Sequence, residues 1–144
     1  MAPMTDLRIQ GLIITEEQWN HMLTDVQERV PEEACGLLAG KSGVVHYVTS
    51  VTNILHSPIR YRMAPEEQLV VFNKIDEQNL ELIAIYHSHP NGPSELSETD
   101  LNEAYYPDTI QLIWFRQGTE WGCRGFIIVS DQVIEVPLKV YGKE

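Results

Sequence analysis

The sequence is poor in cysteine and has no long apolar run. It holds two cysteines, Cys35 and Cys123, and neither belongs to a Cys-x-x-Cys pair, which disfavours a structural zinc site. No apolar run approaches the ~20 residues that cross a membrane. Residues 1–11 lack the basic start and apolar stretch of a signal peptide. We therefore expect a cytoplasmic protein with reduced thiols, in which Cys35 is a small core residue and no disulfide is required.

Basic residues are also scarce. The chain has 10 lysines and arginines against 21 acidic residues, which gives a formal net charge of −11. Such a surface repels a phosphate backbone, so a nucleic acid is not expected as a partner. A basic or mixed-charge protein would be an easier partner, although solubility alone also explains an acidic surface.

Length limits the choice of fold. With 144 residues and 43% hydrophobic content, the chain fits one domain over residues 1–144 with a sizeable core. It is too short for an eight-stranded α/β barrel, which typically needs about 250 residues. Barrel hydrolases that bind metal through His-x-His are thereby disfavoured.

The hydrophobic pattern predicts strands alternating with helices. Thr15 is a plausible N-cap for an amphipathic helix that Pro31 closes, and Pro65 suits the first turn of a second helix reaching about Gln78. Strands are predicted over 7–14, 34–40, 44–51, 61–63, 80–87, 109–115, 123–130 and 133–140, and a short acidic helix, capped by Ser94 or Ser97, over about 98–103. This order indicates an α/β (α+β) fold, a mixed sheet with helices packed around it.

A candidate metal site follows the most apolar strand. His87 and His89 are two residues apart at the end of that strand, where both side chains point to one face, about 6.6 Å apart along the chain. Pro90 and Gly92 then break the strand and turn the chain, which lets Asp100 on the next helix return to the same point. Two imidazoles and a carboxylate suit zinc with one position left open, as in a catalytic site.

A hydrolytic site also needs a base, and Glu33 is the candidate. It lies directly before the apolar strand at 34–40, so its carboxylate stands at a strand end. Whether that strand end lies near His87 is left open by the sequence. A single histidine at a strand end is usually an ordinary polar residue, but His-x-His followed by Pro90 and Asp100 rarely is.

These residues resemble a known motif. His87-Ser88-His89-Pro90, followed by Ser97 and then Asp100, resembles the JAMM motif of MPN-domain metalloproteases. The upstream segment 31–38, Pro-Glu-Glu-Ala-Cys-Gly-Leu-Leu, is similar to the glutamate segment of that family, with Glu33 in the glutamate position. The resemblance covers the whole chain, because the order of elements also matches.

The resemblance implies a fold and a role for each motif residue. The fold would be a cytidine-deaminase-like α/β/α sandwich forming a single MPN/JAB domain. One zinc ion per chain would be bound by His87, His89 and Asp100. Glu33 would act as the general base, and Ser97 would donate to the oxyanion, although it also suits a helix N-cap.

Three neighbouring residues compete for these roles. Glu32 points away from Glu33 if the segment is extended, and Ser88 faces away from the metal by the same alternation. Ser94 lacks the family spacing to Asp100, so Ser97 is preferred.

The resemblance also implies a reaction and a partner. The chain is similar to the compact prokaryotic type, which suggests hydrolysis of a peptide or isopeptide bond after the Gly-Gly tail of a ubiquitin-like or sulfur-carrier protein. Arg60–Met63 and Tyr105–Pro107 are candidate walls of a cleft for that tail, and ordinary packing explains them equally well. A homodimer is allowed but not required.

Two rival functions remain. One is a non-catalytic MPN scaffold for a ubiquitin-like partner, which the retention of Glu33 and Ser97 disfavours. The other is a nucleobase deaminase, whose His-x-Glu and Pro-Cys-x-x-Cys pattern the sequence lacks.

Overall fold

One mixed eight-stranded sheet organises the protein. The computed structural model describes residues 7–102 and 109–142. The helical elements are a 3-10 helix Leu7–Gln10, α1 Glu16–Arg29, α2 Pro65–Glu77 and α3 Glu98–Asn102. The strands are β1 Leu12–Thr15, β2 Cys35–Lys41, β3 Val44–Val51, β4 Glu81–His89, β5 Ile110–Gln117, β6 Glu120–Val129, β7 Gln132–Val136 and β8 Leu138–Tyr141. Their order in the sheet is β7-β6-β5-β4-β2-β3-β1-β8, so the predicted mixed sheet is confirmed.

The first long helix begins and ends where the sequence predicts. The Thr15 side chain accepts a hydrogen bond from the Gln18 amide, and the Gln18 side chain accepts one from the Thr15 amide, which completes a capping box. The helix ends at Arg29, two residues before Pro31, and buries Met22 and Val26 against the sheet. Among the described residues, no helix is both long and apolar enough to pass through a membrane.

Strands β2 and β3 form a tight hairpin. Ser42 and Gly43 connect them with φ values of 53° and 79°, and two consecutive positive φ values are typical of the turn that matches the twist of paired strands. The predicted Gly-Lys-Ser-Gly turn is therefore where this hairpin reverses.

Strand β4 lies inside the sheet and separates two packing layers. It pairs antiparallel with β2 and parallel with β5, and every residue from Ala84 to His89 is buried. Ala84 and Tyr86 belong to the core cluster that includes α1, whereas Ile85 belongs to the cluster that includes α2. Because side chains alternate along a strand, His87 and His89 lie on the face of Ile85, the α2 side.

Two of the predicted strands are not continuous, because a single residue interrupts each of them. The segment 7–14 was predicted as one strand, but it is a 3-10 helix followed by a short β1. Gly11 separates them at φ 108°, where a Cβ atom would lie 2.2 Å from the carbonyl oxygen of Pro137. The predicted strand 133–140 is two strands, because Pro137 has no N–H to continue a ladder.

The predicted edge strand Tyr61–Met63 is also wrong. Met63 forms only an isolated antiparallel bridge with Asn53. The segment instead belongs to a loop in which the buried Asn53 side chain bonds the backbone of Leu55, Arg60 and Arg62.

The two ends of the sheet meet. Strands β7 and β8 stand at opposite ends of the strand order, yet only Pro137 separates them in the chain. The Pro137 carbonyl accepts a hydrogen bond from the Leu12 amide at 3.1 Å, which continues the pairing of β8 with β1. The sheet therefore curves strongly enough for one bent segment to pair with both β6 and β1.

Candidate metal centre

Four predicted side chains converge at one end of β4. Glu33, His87, His89 and Asp100 each place one potential ligand atom within 4.8 Å of the others. Glu33 lies two residues before β2, the histidines end β4, and Asp100 lies in α3. The pairing of Cys35 with His87 brings the Glu33 segment beside the histidines, which settles the point that the sequence left open.

The two imidazoles and the carboxylate face one point. His87 Nε2 lies 3.1 Å from His89 Nε2 and 3.1 Å from Asp100 Oδ1. His89 Nε2 lies 3.0 Å from Asp100 Oδ2, so each carboxylate oxygen contacts one imidazole ring.

The outer contact of His89 fixes its tautomer. His89 Nδ1 donates to the carbonyl oxygen of Pro93 at 2.7 Å, and a carbonyl can only accept. In the neutral ring, Nδ1 therefore carries the proton, and Nε2 is the atom that offers a lone pair to a metal ion. This is the arrangement that orients a metal-binding histidine in proteins.

Local electrostatics prepare these groups for metal binding. Burial would raise the pKa of Asp100, but hydrogen bonds from His87 and His89 outweigh it and hold that pKa well below its usual range. Burial lowers the pKa of His87. Burial also lowers the pKa of His89, but hydrogen bonds to Asp100 and to the Pro93 carbonyl outweigh this and give a net rise. The site therefore combines an ionised carboxylate with at least one neutral imidazole, which are forms that bind metals.

Glu33 is an isolated buried carboxyl group beside these ligands. It is 3% exposed, and its Oε1 has no hydrogen-bond partner among the described residues. Burial raises the pKa of Glu33 to about 8, although the nearby His89 partly offsets that effect. A buried carboxyl group with a pKa near neutrality suits a general base.

This donor set fits a divalent metal ion. Two nitrogens and one carboxylate supply three ligands, and a fourth position remains for a small molecule beside Glu33. The orphaned Glu33 oxygen supports the same conclusion, because a cation nearby would stabilise the ionised form of this buried carboxyl group.

We expect Glu33→Gln to stabilise the metal-free protein in a pH-dependent way. The folded pKa of Glu33 is about 8 against an ordinary value of 4.5, so the folded state binds more protons between these values. The free energy of unfolding of the wild type should therefore fall as pH rises from about 4.5 to 8, by at most roughly 1.4 kcal/mol per pH unit. In thermal unfolding of chelated protein, the variant should exceed wild type at pH 8, and the gap should close near pH 4.5. A gap independent of pH would contradict the assignment.

Ser88 faces away from the metal ligands and holds the Glu33 segment. Its Oγ accepts a hydrogen bond from the Ala34 amide at 2.7 Å, and its own amide donates to the Ala34 carbonyl at 3.0 Å. Ser88 is 0% exposed, so no water can replace these bonds without rearrangement. The residue between the two histidines thus joins their strand to the residue after Glu33.

Ser88→Ala is expected to destabilise the fold by about 1–3 kcal/mol, because the buried Ala34 amide loses its acceptor. Chemical denaturation of the chelated protein measures this change. Ser57→Ala is the matched control, since the Ser57 hydroxyl accepts the Ile59 amide at an exposed position, where water can substitute. Equal effects of the two substitutions would contradict the structural explanation.

Ser97 holds Asp100 through a reciprocal pair of bonds. Its Oγ accepts the Asp100 amide at 3.0 Å, and its own amide donates to Asp100 Oδ2 at 2.9 Å. Ser97 therefore occupies the N-cap position of α3, as one of its two interpretations predicted. Its role towards an oxyanion stays a prediction. Ser94 contacts Arg124 instead, at 3.0 Å.

Three other residues or segments were named from the sequence as candidates for the site. Glu32 pairs with His56 Nδ1 at 3.1 Å and is outside the converging group. Tyr61 stacks on His87 with ring centroids 4.6 Å apart, so it borders the site. The second candidate wall, Tyr105–Pro107, lies outside the described residues.

Sequence reasoning missed three contributors around the site. The Pro93 carbonyl orients His89, Arg124 holds Ser94 in the loop before α3, and Asn53 contacts the Glu33 backbone. An asparagine before a polar loop looks like an ordinary turn residue, and only its complete burial distinguishes it.

Comparisons with known proteins agree with the geometry. A family model described as prokaryotic homologs of the JAB domain matches residues 15–134, which include all four converging side chains. The chain is 33% identical over 132 residues to the CysO-cysteine peptidase of Mycobacterium tuberculosis, covering 90% of each chain. It is 35% identical over 97 residues to the desampylase of Pyrococcus furiosus, covering 67% of this chain and 69% of that one. A solution structure from Desulfitobacterium hafniense matches with a TM-score of 0.82 and 28% identity, covering 92% and 94% of the two chains.

Proposed function

Since the chain belongs to the family of prokaryotic homologs of the JAB domain, we propose that it is a zinc-dependent hydrolase cutting after the Gly-Gly tail of a ubiquitin-like or sulfur-carrier protein. The bond cut is a peptide or isopeptide bond. The observation that carries the proposal is the convergence of His87, His89 and Asp100 with the orphaned carboxyl group of Glu33.

Each converging residue has a chemical task. His87, His89 and Asp100 would hold one zinc ion, which supplies Lewis-acid activation of water and of the scissile carbonyl. Glu33 takes a proton from the attacking water and delivers it to the leaving amine. The raised pKa of Glu33, about 8, suits a group that must both accept and release a proton near neutrality.

Ser97 would stabilise the developing oxyanion. Its Oγ already accepts a hydrogen bond from the Asp100 amide, so the hydroxyl proton remains free to be donated elsewhere. A donor aimed at an oxyanion typically contributes about 10²–10³-fold in rate.

The substrate assignment rests on similarity and on the aromatic ring beside the site. The similar proteins are named a CysO-cysteine peptidase and a desampylase. Tyr61 stacks on His87, so an aromatic ring borders the site, and a tail without side chains would fit beside it. An extended glycine tail can also bind through its backbone, as an added strand does.

One chain supplies every residue of the proposed site. Glu33, both histidines and Asp100 lie in one fold over the proposed domain, residues 1–144. A homodimer is therefore compatible with the function but is not needed to complete the site.

The deciding experiment pairs metal content with cleavage of a Gly-Gly-tailed ubiquitin-like fusion. We expect one zinc per chain, cleavage after the second glycine, and loss of cleavage with a chelator that zinc restores. A fusion ending in Ala-Ala serves as the matched substrate control. Zinc binding without cleavage of any Gly-Gly fusion would contradict the substrate assignment, and absence of zinc would favour a non-catalytic scaffold.

A further inference from the structure

Asn53 is a fully buried side chain with a complete set of hydrogen bonds. Its Nδ2 donates to the carbonyl oxygens of Glu33 and Arg60, each at 3.0 Å. Its Oδ1 accepts the amides of Leu55 and Arg62, each at 3.1 Å. A carboxamide has two donor hydrogens and two acceptor sites, so the side chain is saturated.

The loop closed by Asn53 also bonds the other side of Glu33. The Glu33 amide donates to the Ser57 carbonyl at 2.8 Å, while its carbonyl accepts from Asn53. Both backbone polar groups of the proposed base are therefore held by residues 53–57. Local turn formation alone would need only the contacts of Asn53 with Leu55, Arg60 and Arg62, and not its bond to Glu33.

The same loop carries Tyr61, whose ring forms one wall of the site. Arg62, whose amide Asn53 accepts, directly follows Tyr61, and Tyr61 stacks on His87. None of the three proposed metal ligands is hydrogen-bonded to Asn53. A change at Asn53 should thus act on Glu33 and on the wall, and leave the ligands in place.

We propose that Asn53 is a positioning residue that locks the loop 54–62 to the backbone of Glu33, so that the base and the wall of the cleft move as one unit. The inference rests on the proposed role of Glu33. Misplacement of a reacting group by about 1 Å can cost up to about 10²-fold in rate. A substrate tail that contacts and shifts this loop would therefore also shift Glu33.

Asn53→Asp separates the two kinds of contact. The aspartate keeps the acceptor for Leu55 and Arg62 but, when ionised, loses both donors to Glu33 and Arg60. Asn73→Asp makes the same chemical change at an exposed position of α2 and is the matched control.

The test measures amide hydrogen exchange, zinc affinity and turnover on the zinc-loaded chain. In Asn53→Asp, the Glu33 amide should exchange at least about 10-fold faster, while the Leu55 and Arg62 amides keep most of their protection. Zinc affinity should stay within about 3-fold of wild type, and kcat should fall by about 10–100-fold with a smaller change in KM. Asn73→Asp should change none of these.

Unchanged Glu33 protection in a folded Asn53→Asp variant would overturn the proposal. If that variant does not fold, amide exchange of the wild type decides. If Glu33 and the loop open together, the protection factors of the Glu33 and Arg62 amides should be equal within about 3-fold. Strong protection of Glu33 with an unprotected Arg62 would overturn it. Exchange and zinc binding need no turnover, so failure of wild type to cleave would refute the proposed function and leave this test intact.

Discussion

Glu33→Gln is expected to abolish cleavage while the protein keeps its metal. Glutamine has nearly the same shape but cannot accept a proton from water, and general-base catalysis typically contributes about 10²–10⁴-fold. The three proposed metal ligands come from β4 and α3 and are unchanged. Single-turnover cleavage and zinc content, measured on the same preparation, should show a large fall in the first and none in the second.

The adjacent carboxylate provides a close control. Glu32→Gln removes the same charge one residue away, where the side chain pairs with His56 at a partly exposed position. This variant should retain cleavage within about 3-fold, as is typical of surface changes. Substantial activity in metal-loaded Glu33→Gln would remove Glu33 from the proposed mechanism.

His89→Ala should lose the metal itself. His89 Nε2 is aimed at the same point as His87 and Asp100, and its Nδ1 is already committed to Pro93. Loss of a residue that merely supports a ligand costs about 10–100-fold in metal affinity, so loss of a direct ligand should exceed about 100-fold. Competition with a chromophoric chelator measures this change, and cleavage should disappear with the metal.

Substitution of an exposed histidine is the control, because it removes an imidazole that is not a proposed metal ligand. His56→Ala removes a ring that is mostly exposed and pairs only with Glu32 among the described contacts. Its zinc affinity should equal that of wild type. One zinc per chain in His89→Ala, at wild-type affinity, would refute the assignment of His89 as a ligand.

The arrangement around β4 could be predicted because it depends on short-range rules. Strand alternation puts His87 and His89 on one face, and the breakers after them turn the chain so that Asp100 returns. A capped start at Thr15 and a proline after Arg29 likewise define α1 from local chemistry alone. Sequence spacing is sufficient wherever the interacting residues are neighbours in the chain.

The position of Glu33 could not be derived in this way. It depends on the register between β2 and β4, which pairs Cys35 with His87 across more than fifty residues. The contacts of Asn53 and Ser88 with the Glu33 segment depend on the same packing, and no local pattern marks them. The motif resemblance indicated Glu33 because it carries information about long-range pairing that periodicity lacks.

The junction at Pro137 has a consequence for the order of folding. Strand β8 pairs with β1, so residues near 12 meet residues near 140, and such distant contacts form late because closing a long loop is entropically costly. Strands β2, β3 and β4, which carry or adjoin the two histidines proposed as metal ligands, pair over shorter separations. During synthesis on the ribosome, the nascent chain would thus hold the proposed metal site in a partly assembled sheet. Strand β1 would gain its β8 partner only when residues 138–141 emerge.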